Sequence, residues 1–137
     1  MIKKTVKYED FNGNQKEATC YFHLSKPELL ELEYSKKGGF TEWITRLNES
    51  QDRREIFDTV KNLVLSSYGE KSVDGDTFDK SEAIRHNFER SAMYDSLMVE
   101  LCTSETAIVD FMYGILPADM QQTAKDEYNK LKGGNAN

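Results

Sequence analysis

The stretch IKKTVKYEDFNGNQKEATCYFHL, running from Ile2 to Leu24, decides the fold class. Ile2, Lys4, Val6 and Tyr8 fall on one side of an extended chain, and Lys3, Thr5 and Lys7 on the other. That period of two is the signature of a strand with one face against a core. Ala18 to Leu24 is a second β-prone run, with Thr19, Cys20, Tyr21 and Phe22 at its centre. Between them Asp10-Phe11-Asn12-Gly13-Asn14 places Asn-Gly where a tight turn needs positive φ angles. The stretch predicts a two-stranded antiparallel β-hairpin over residues 1–24. A lone hairpin is marginal in water, so this one has to lie on something else.

The rest of the chain reads as helices. Ser25-Lys26-Pro27-Glu28 opens the first: Ser25 caps free N–H groups, Glu28 completes a capping box, and Pro27 suits the first turn. Leu29, Leu30, Leu32 and Glu33 continue it until Gly38-Gly39 stops it. A short helix is expected over Thr41–Asn48, with Phe40, Trp43, Ile44 and Leu47 at helical spacing. Another is expected over Asp52–Ser67, striped by Ile56, Phe57, Val60, Leu63, Val64 and Tyr68, with Gly69 as its stop. Ser81 caps a further pattern carrying Ile84 and Phe88, and the phase restarts near Ser91 with Met93, Tyr94, Leu97, Met98 and Leu101. Thr103-Ser104-Glu105 caps a last helix bearing Ala107, Ile108, Phe111 and Met112, which Gly114 and Pro117 end without nearby resumption. The expected class is therefore α+β, mainly α. The hairpin, extended by a short ribbon near residues 68–82, packs on a cluster of about five helices. Residues 1–120 read as one domain, its helical part spanning 25–116, and 121–137 as a polar tail, partly helical or disordered.

Composition narrows the function classes. The chain has 137 residues, 38% hydrophobic and 31% charged, which suits a single packed core. Lys and Arg number 18 against 24 Asp and Glu, so the net charge is 18 − 24 = −6, with basic residues scattered along the chain. That sign and spread argue against gripping a phosphate backbone, so no nucleic-acid partner is expected. The two cysteines, Cys20 and Cys102, both sit in apolar patterns and read as buried thiols of a reducing compartment. The basic start, Met1 to Lys7, is followed by no apolar run of a secretion signal, and no window is long and apolar enough for a membrane span. The simplest location is cytoplasmic.

No motif for catalysis, metal or cofactor emerges. The acidic segment Tyr68–Glu82 does not fit a calcium loop starting at Asp74: fifth and sixth places hold Phe78 and Asp79, and the twelfth holds Arg85, where a ligand, a glycine and a glutamate are required. A turn on Asp74-Gly75 is the simpler account. His23 at a strand end and His86 on a polar helix face lie in no local arrangement that activates a nucleophile. Glu31 and Glu33, two apart on a helix, point in different directions. Gly38-Gly39 follows a helix, whereas a phosphate-cradling loop precedes one.

Spaced segments nonetheless carry a likeness. Leu24-Ser25-Lys26-Pro27-Glu28, Gly38-Gly39, Tyr68-Gly69-Glu70-Lys71-Ser72 with Asp74-Gly75, Phe78 and Lys80-Ser81, and Gly114-Ile115-Leu116-Pro117-Ala118-Asp119-Met120 stand in an order that resembles the tail assembly chaperones of long-tailed bacteriophages, closest to those of phages and prophages of Gram-positive bacteria. The resemblance covers the chain to about Met120. It implies a non-enzymatic factor of the host cytoplasm that coats the tape measure protein, helps bring tail tube subunits to it, and is absent from the finished virion. A longer, frameshifted form and self-association of the chain belong to the same implied picture.

The physical reading is compatible with such a role. A holdase for a helical client needs apolar anchors on a soluble body. Candidate partner-binding residues are Phe40, Trp43, Ile44, Met93, Met98 and Met112, each with core filling as the competing assignment. Two other functions stay open: a structural tail or head-tail completion protein of the virion, pairing through its hairpin, and an acidic inhibitor that mimics DNA. Interspersed Lys and Arg weigh against the mimic.

Overall fold

The computed structural model describes residues 1–35, 39, 42, 45, 46, 49 and 52–135. Strand β1 (Ile2–Glu9) pairs antiparallel with β2 (Gln15–Phe22) in the register Ile2↔Phe22 through Glu9↔Gln15. Only the inner positions are buried, Val6 on β1 and Cys20 and Phe22 on β2, as the alternation dictates. The connection differs from a two-residue Asn-Gly turn. Gly13 N–H donates to Asp10 O (3.0 Å), Asp10 N–H donates to Asn14 O (2.9 Å), and among the described residues only glycines, Gly13 included, take positive φ. This is the three-residue loop with a left-handed glycine after the turn. Asp10 Oδ1 accepts from the N–H groups of Asn12 and Asn14, both at 2.9 Å.

Helices α1 (Lys26–Ser35) and α2 (Arg53–Ser67) follow. The capping box forms as the sequence requires: Ser25 N–H donates to Glu28 Oε1 (3.0 Å) and Glu28 N–H to Ser25 Oγ (3.3 Å). Asp52 caps α2 by accepting from the N–H groups of Arg54 and Glu55. The helix expected at Thr41–Asn48, with Phe40, Trp43, Ile44 and Leu47, falls outside the described residues, apart from single positions.

The two-stranded hairpin becomes a four-stranded sheet. After α2 the chain enters β3 (Tyr68–Lys71), turns, and returns as β4 (Phe78–Asp79), giving the order β1-β2-β3-β4. Gly69 is therefore a strand residue opposite Tyr21 and not the stop of a helix. Its lack of a side chain has a different cause: a Cβ there would lie 2.6 Å from a Phe78 ring carbon and 2.8 Å from Asp79 O. α2 ends without glycine, its last carbonyls met by Tyr68 N–H on Val64 O and by Ser67 Oγ on Leu63 O (2.6 Å).

The C-terminal half is helical: α3 (Glu82–Glu89), α4 (Ala92–Cys102), α5 (Glu105–Gly114) and α6 (Ala118–Asn135), making six helices among the described residues. Ser81, Ser91 and Ser104 cap α3, α4 and α5 by accepting from the N–H three residues on. The restart at Ser91 is thus a true break. The expected end at Pro117 needs correction. Pro117 interrupts α5, but proline fits the start of a helix because the N–H it lacks has no intrahelical partner there, and Met120 N–H already donates to Pro117 O (2.9 Å). α6 then runs through a segment with no strong apolar face.

The core lies where the sheet meets α2, α4 and α5. Phe22, fully buried, has the rings of Phe111, Tyr68 and Phe88 around it at centroid distances of 5.1, 5.6 and 6.0 Å. Tyr68 stacks on Phe88 at 3.8 Å, and burial pushes its phenol up to about 12. Three long-range hydrogen bonds close the fold: His23 N–H to Ser67 O, Leu24 N–H to Ile115 O, both 2.8 Å, and the Met1 ammonium to Leu116 O at 3.2 Å.

Phe22→Ala is expected to lower stability by about 3–5 kcal/mol, because neighbouring rings close only part of the cavity. Gly69→Ala is expected to cost about 1–3 kcal/mol through overpacking against Phe78 and the β4 backbone. Urea unfolding monitored by circular dichroism measures both, and a Gly69→Ala protein of unchanged midpoint would show that β4 yields freely.

Candidate partner-binding surface

The acidic loop that invites a metal reading satisfies itself. Ser72 N–H donates to Thr77 O (2.9 Å), Gly75 N–H donates to Ser72 O (3.0 Å), and Asp74 Oδ1 accepts both Ser72 Oγ (2.7 Å) and Asp76 N–H (3.0 Å). The Ser72 hydroxyl, then the Asp76 amide, hold the Asp74 carboxyl below the usual range. No group of three or more acidic, histidine or cysteine side chains placed to hold a metal occurs among the described residues.

One polar cluster joins three elements. Lys80, just after β4, donates through Nζ to His23 O (3.1 Å) and to Glu28 Oε1 (2.6 Å), tying the ends of β2 and β4 to the capping box of α1. Burial alone would raise Glu28, the largest single influence, but the Lys80 and Ser25 hydrogen bonds together outweigh it and leave the carboxyl lowered. His23 stands edge-on to Phe78 at 6.2 Å, and its Nδ1 is buried without a hydrogen-bond partner among the described residues. Burial first, then the positive N-terminus and Lys80, push its pKa down. These groups hold one another and leave no nucleophile beside a base. His86 is exposed on α3.

The residues expected at a partner surface are dispersed. Phe40, Trp43 and Ile44 lie outside the described residues. Met98 and Met112 are buried at 5% and 1% exposure, so a partner reaches them only if the core opens. Met93 is half-buried against the same core, its Sδ 4.0 Å from Cys20 Sγ. Cys20 is buried and its thiol raised by burial, as read, but Cys102 ends α4 on the solvent side and is exposed. The apolar pattern around Cys102 belongs to Met98 and Leu101, one turn and one residue back, which face inward.

What the surface does offer is different. Leu30 (52% exposed) and Tyr34 (83%) stand four residues apart on α1 and share a face. Val99 on α4 and Phe57 on α2 are also exposed. A signal for the α1 pair was present: Leu29, Leu30, Leu32 and Tyr34 are more apolar positions than one core-facing stripe uses. Between β1, α4 and α5 runs a groove of about 280 Å³, floored by Ile2, Leu101, Ala107 and Phe111. The Lys4–Glu100 ion pair (2.8 Å) and Asp110 complete its lining.

The model of the family described as phage tail assembly chaperone matches residues 1–136. The chain belongs to that family. It matches no curated protein and no solved structure. The chaperone assignment thus rests on nearly the whole length of this chain, and the partners of the family are phage tail proteins. Among the described residues of this tail assembly chaperone, no helix is long and apolar enough to cross a membrane.

The lowered Glu28 fixes the sign of a pH effect. Its folded value lies below the ordinary 4.5, so the stabilisation is fully present above about that pH and is lost as pH falls through the folded value. Glu28→Gln is expected to cost about 1 kcal/mol at neutral pH, a modest figure because water screens a side chain 37% exposed. The gap between variant and parent should close on acidification below pH 4.5. Urea midpoints measured down the acid range test this, and a gap that stays constant with pH would refute the charge-based account.

Proposed function

We propose that this tail assembly chaperone is non-enzymatic, binds the tape measure protein, keeps that long helical client soluble, and helps recruit tail tube subunits to it. The observation that carries the reading is the family match over residues 1–136. The physics of the surface supports it. A holdase needs apolar anchors at helical spacing on a soluble body, and Leu30 with Tyr34 supply such a pair on a chain of net charge −6. Phe40, Trp43 and Ile44, which follow α1 in sequence, are proposed to extend that client-facing surface, and Met93 to flank the core beneath a second contact. Residues 1–120 are proposed as the folded domain, with 121–137 as an appended polar segment. The site of action is the host cytoplasm, before the virion is finished.

Co-expression with a tape-measure-like coiled-coil protein is expected to raise the soluble fraction of that client well above the level reached with an unrelated acidic protein. Replacing both anchors, Leu30→Glu with Tyr34→Lys, should return it to the control level while leaving the chaperone folded. No gain with the parent protein would sink the reading. Recovery of the chain from purified particles would favour a structural tail or completion protein instead.

A further inference from the structure

Two turns of the sheet are built alike. In Asp10–Gly13 the Gly13 N–H donates to Asp10 O, and in Ser72–Gly75 the Gly75 N–H donates to Ser72 O, both at 3.0 Å. Each ends on a glycine of positive φ, 82° and 80°. In each an aspartate braces the backbone: Asp10 Oδ1 accepts from the N–H groups of Asn12 and Asn14, and Asp74 Oδ1 from that of Asp76. The second place of each turn holds an apolar residue, Phe11 at 80% exposure and Val73 at 105%. Turns of this build require no apolar side chain there, and the core takes up neither. β3 runs antiparallel to β2, back toward the β1–β2 turn, so both turns lie at one end of the sheet.

That end is acidic when every lysine is counted. From Lys7 to its cross-strand neighbour Glu17 the chain carries two lysines and three carboxylates. From Glu70 to its neighbour Asp79 it carries one lysine and four carboxylates. The two hairpin ends therefore hold four of the chain's six net negative charges. Their lysines are engaged at home: Lys16 pairs with Asp10 (2.7 Å), Lys71 stands over the Tyr21 ring (5.7 Å), and Lys7 lies opposite Glu17. Apolar loop tips can enter a lipid surface, but an anionic leaflet repels an acidic end. The same sign turns away nucleic acid, and a second copy approaching tip to tip. The complementary occupant is a protein surface with apolar pockets set among lysines or arginines.

We propose that the two turn tips dock together on one partner protein, Phe11 and Val73 each entering an apolar pocket with a basic rim. The aspartate bracing fixes both turns before contact, so little backbone ordering is lost on binding. A buried aromatic such as Phe11 is the kind of residue on which interface energy concentrates. This docking does not use Leu30 and Tyr34 on α1, and either surface holds without the other.

The test places photoreactive benzoylphenylalanine at position 11 or at position 73 of the whole chain, in cells co-expressing the phage tail proteins encoded with it. Both positions are expected to link to the same protein, at peptides that mass spectrometry shows to carry lysine or arginine beside apolar residues. Phe11→Ser should cut the yield from position 73 about tenfold. Glu9→Lys/Asp76→Lys reverses two exposed carboxylates that brace neither turn, and should cut the yield from both positions by at least as much. Failure to link from either position overturns the proposal, as do links to two different proteins or to a second copy of this chain. A yield indifferent to the charge reversal overturns it as well, and decides the matter if Phe11→Ser does not fold.

Discussion

The fold depends on the burial of one ring. Phe22 is the last residue of β2, and its side chain is where the sheet, α3 and α5 meet through Tyr68, Phe88 and Phe111. Aromatic pairs in tilted and edge-on arrangements add to the area each ring buries, so this contact both seals the core and sets the angle of the helices on the sheet. Around it the backbone is stitched by residues next in sequence. His23 reaches Ser67 and Leu24 reaches Ile115, so the two residues after Phe22 fasten the sheet to two different helical segments. A strand that would be marginal as part of a hairpin becomes the spine of the molecule.

Polar chemistry in this protein is spent on joints. The Ser25–Glu28 capping box is recruited by Lys80, which carries the end of β4 to the start of α1. Asp10 organises its own turn, where a hydrogen bond from Lys16 and then the Asn14 amide hold the carboxyl at about 2. Asp74 does the same for the loop between β3 and β4. Asp10, Glu28, Asp52 and Asp74 are each engaged where a turn or helix begins, and no acidic group among the described residues is placed to hold a metal.

Much of this was legible in the sequence because it is local. The hairpin follows from alternation, and the helix starts follow from Ser25, Asp52, Ser81, Ser91 and Ser104, whose side chains satisfy N–H groups two or three residues away. What escaped was decided at long range. Gly69 reads as a helix stop in one dimension, yet its role is set by Phe78 crossing above it and Tyr21 beside it. Pro117 carries an ambiguous signal, since the same ring that closes one helix suits the opening of the next. Met98 and Met112 lie on patterns that suit a core first and a client groove second, and the packing around Leu97, Leu101 and Phe111 places them inside. The exposed Leu30 and Tyr34 were visible as surplus apolar residues on α1, but surplus becomes surface only once Leu29 is seen to occupy the core.

The bond between Leu24 and Ile115 sets an order of events during synthesis. The hairpin is made first, but Phe111, Met112, Ile115 and Leu116, all buried, arrive some ninety residues after Phe22 by simple subtraction of their numbers. Until they leave the ribosome the nascent chain carries a sheet whose central ring lacks its Phe111 neighbour. A tail assembly chaperone of this fold therefore passes, during its own synthesis, through a stage in which part of its core is open.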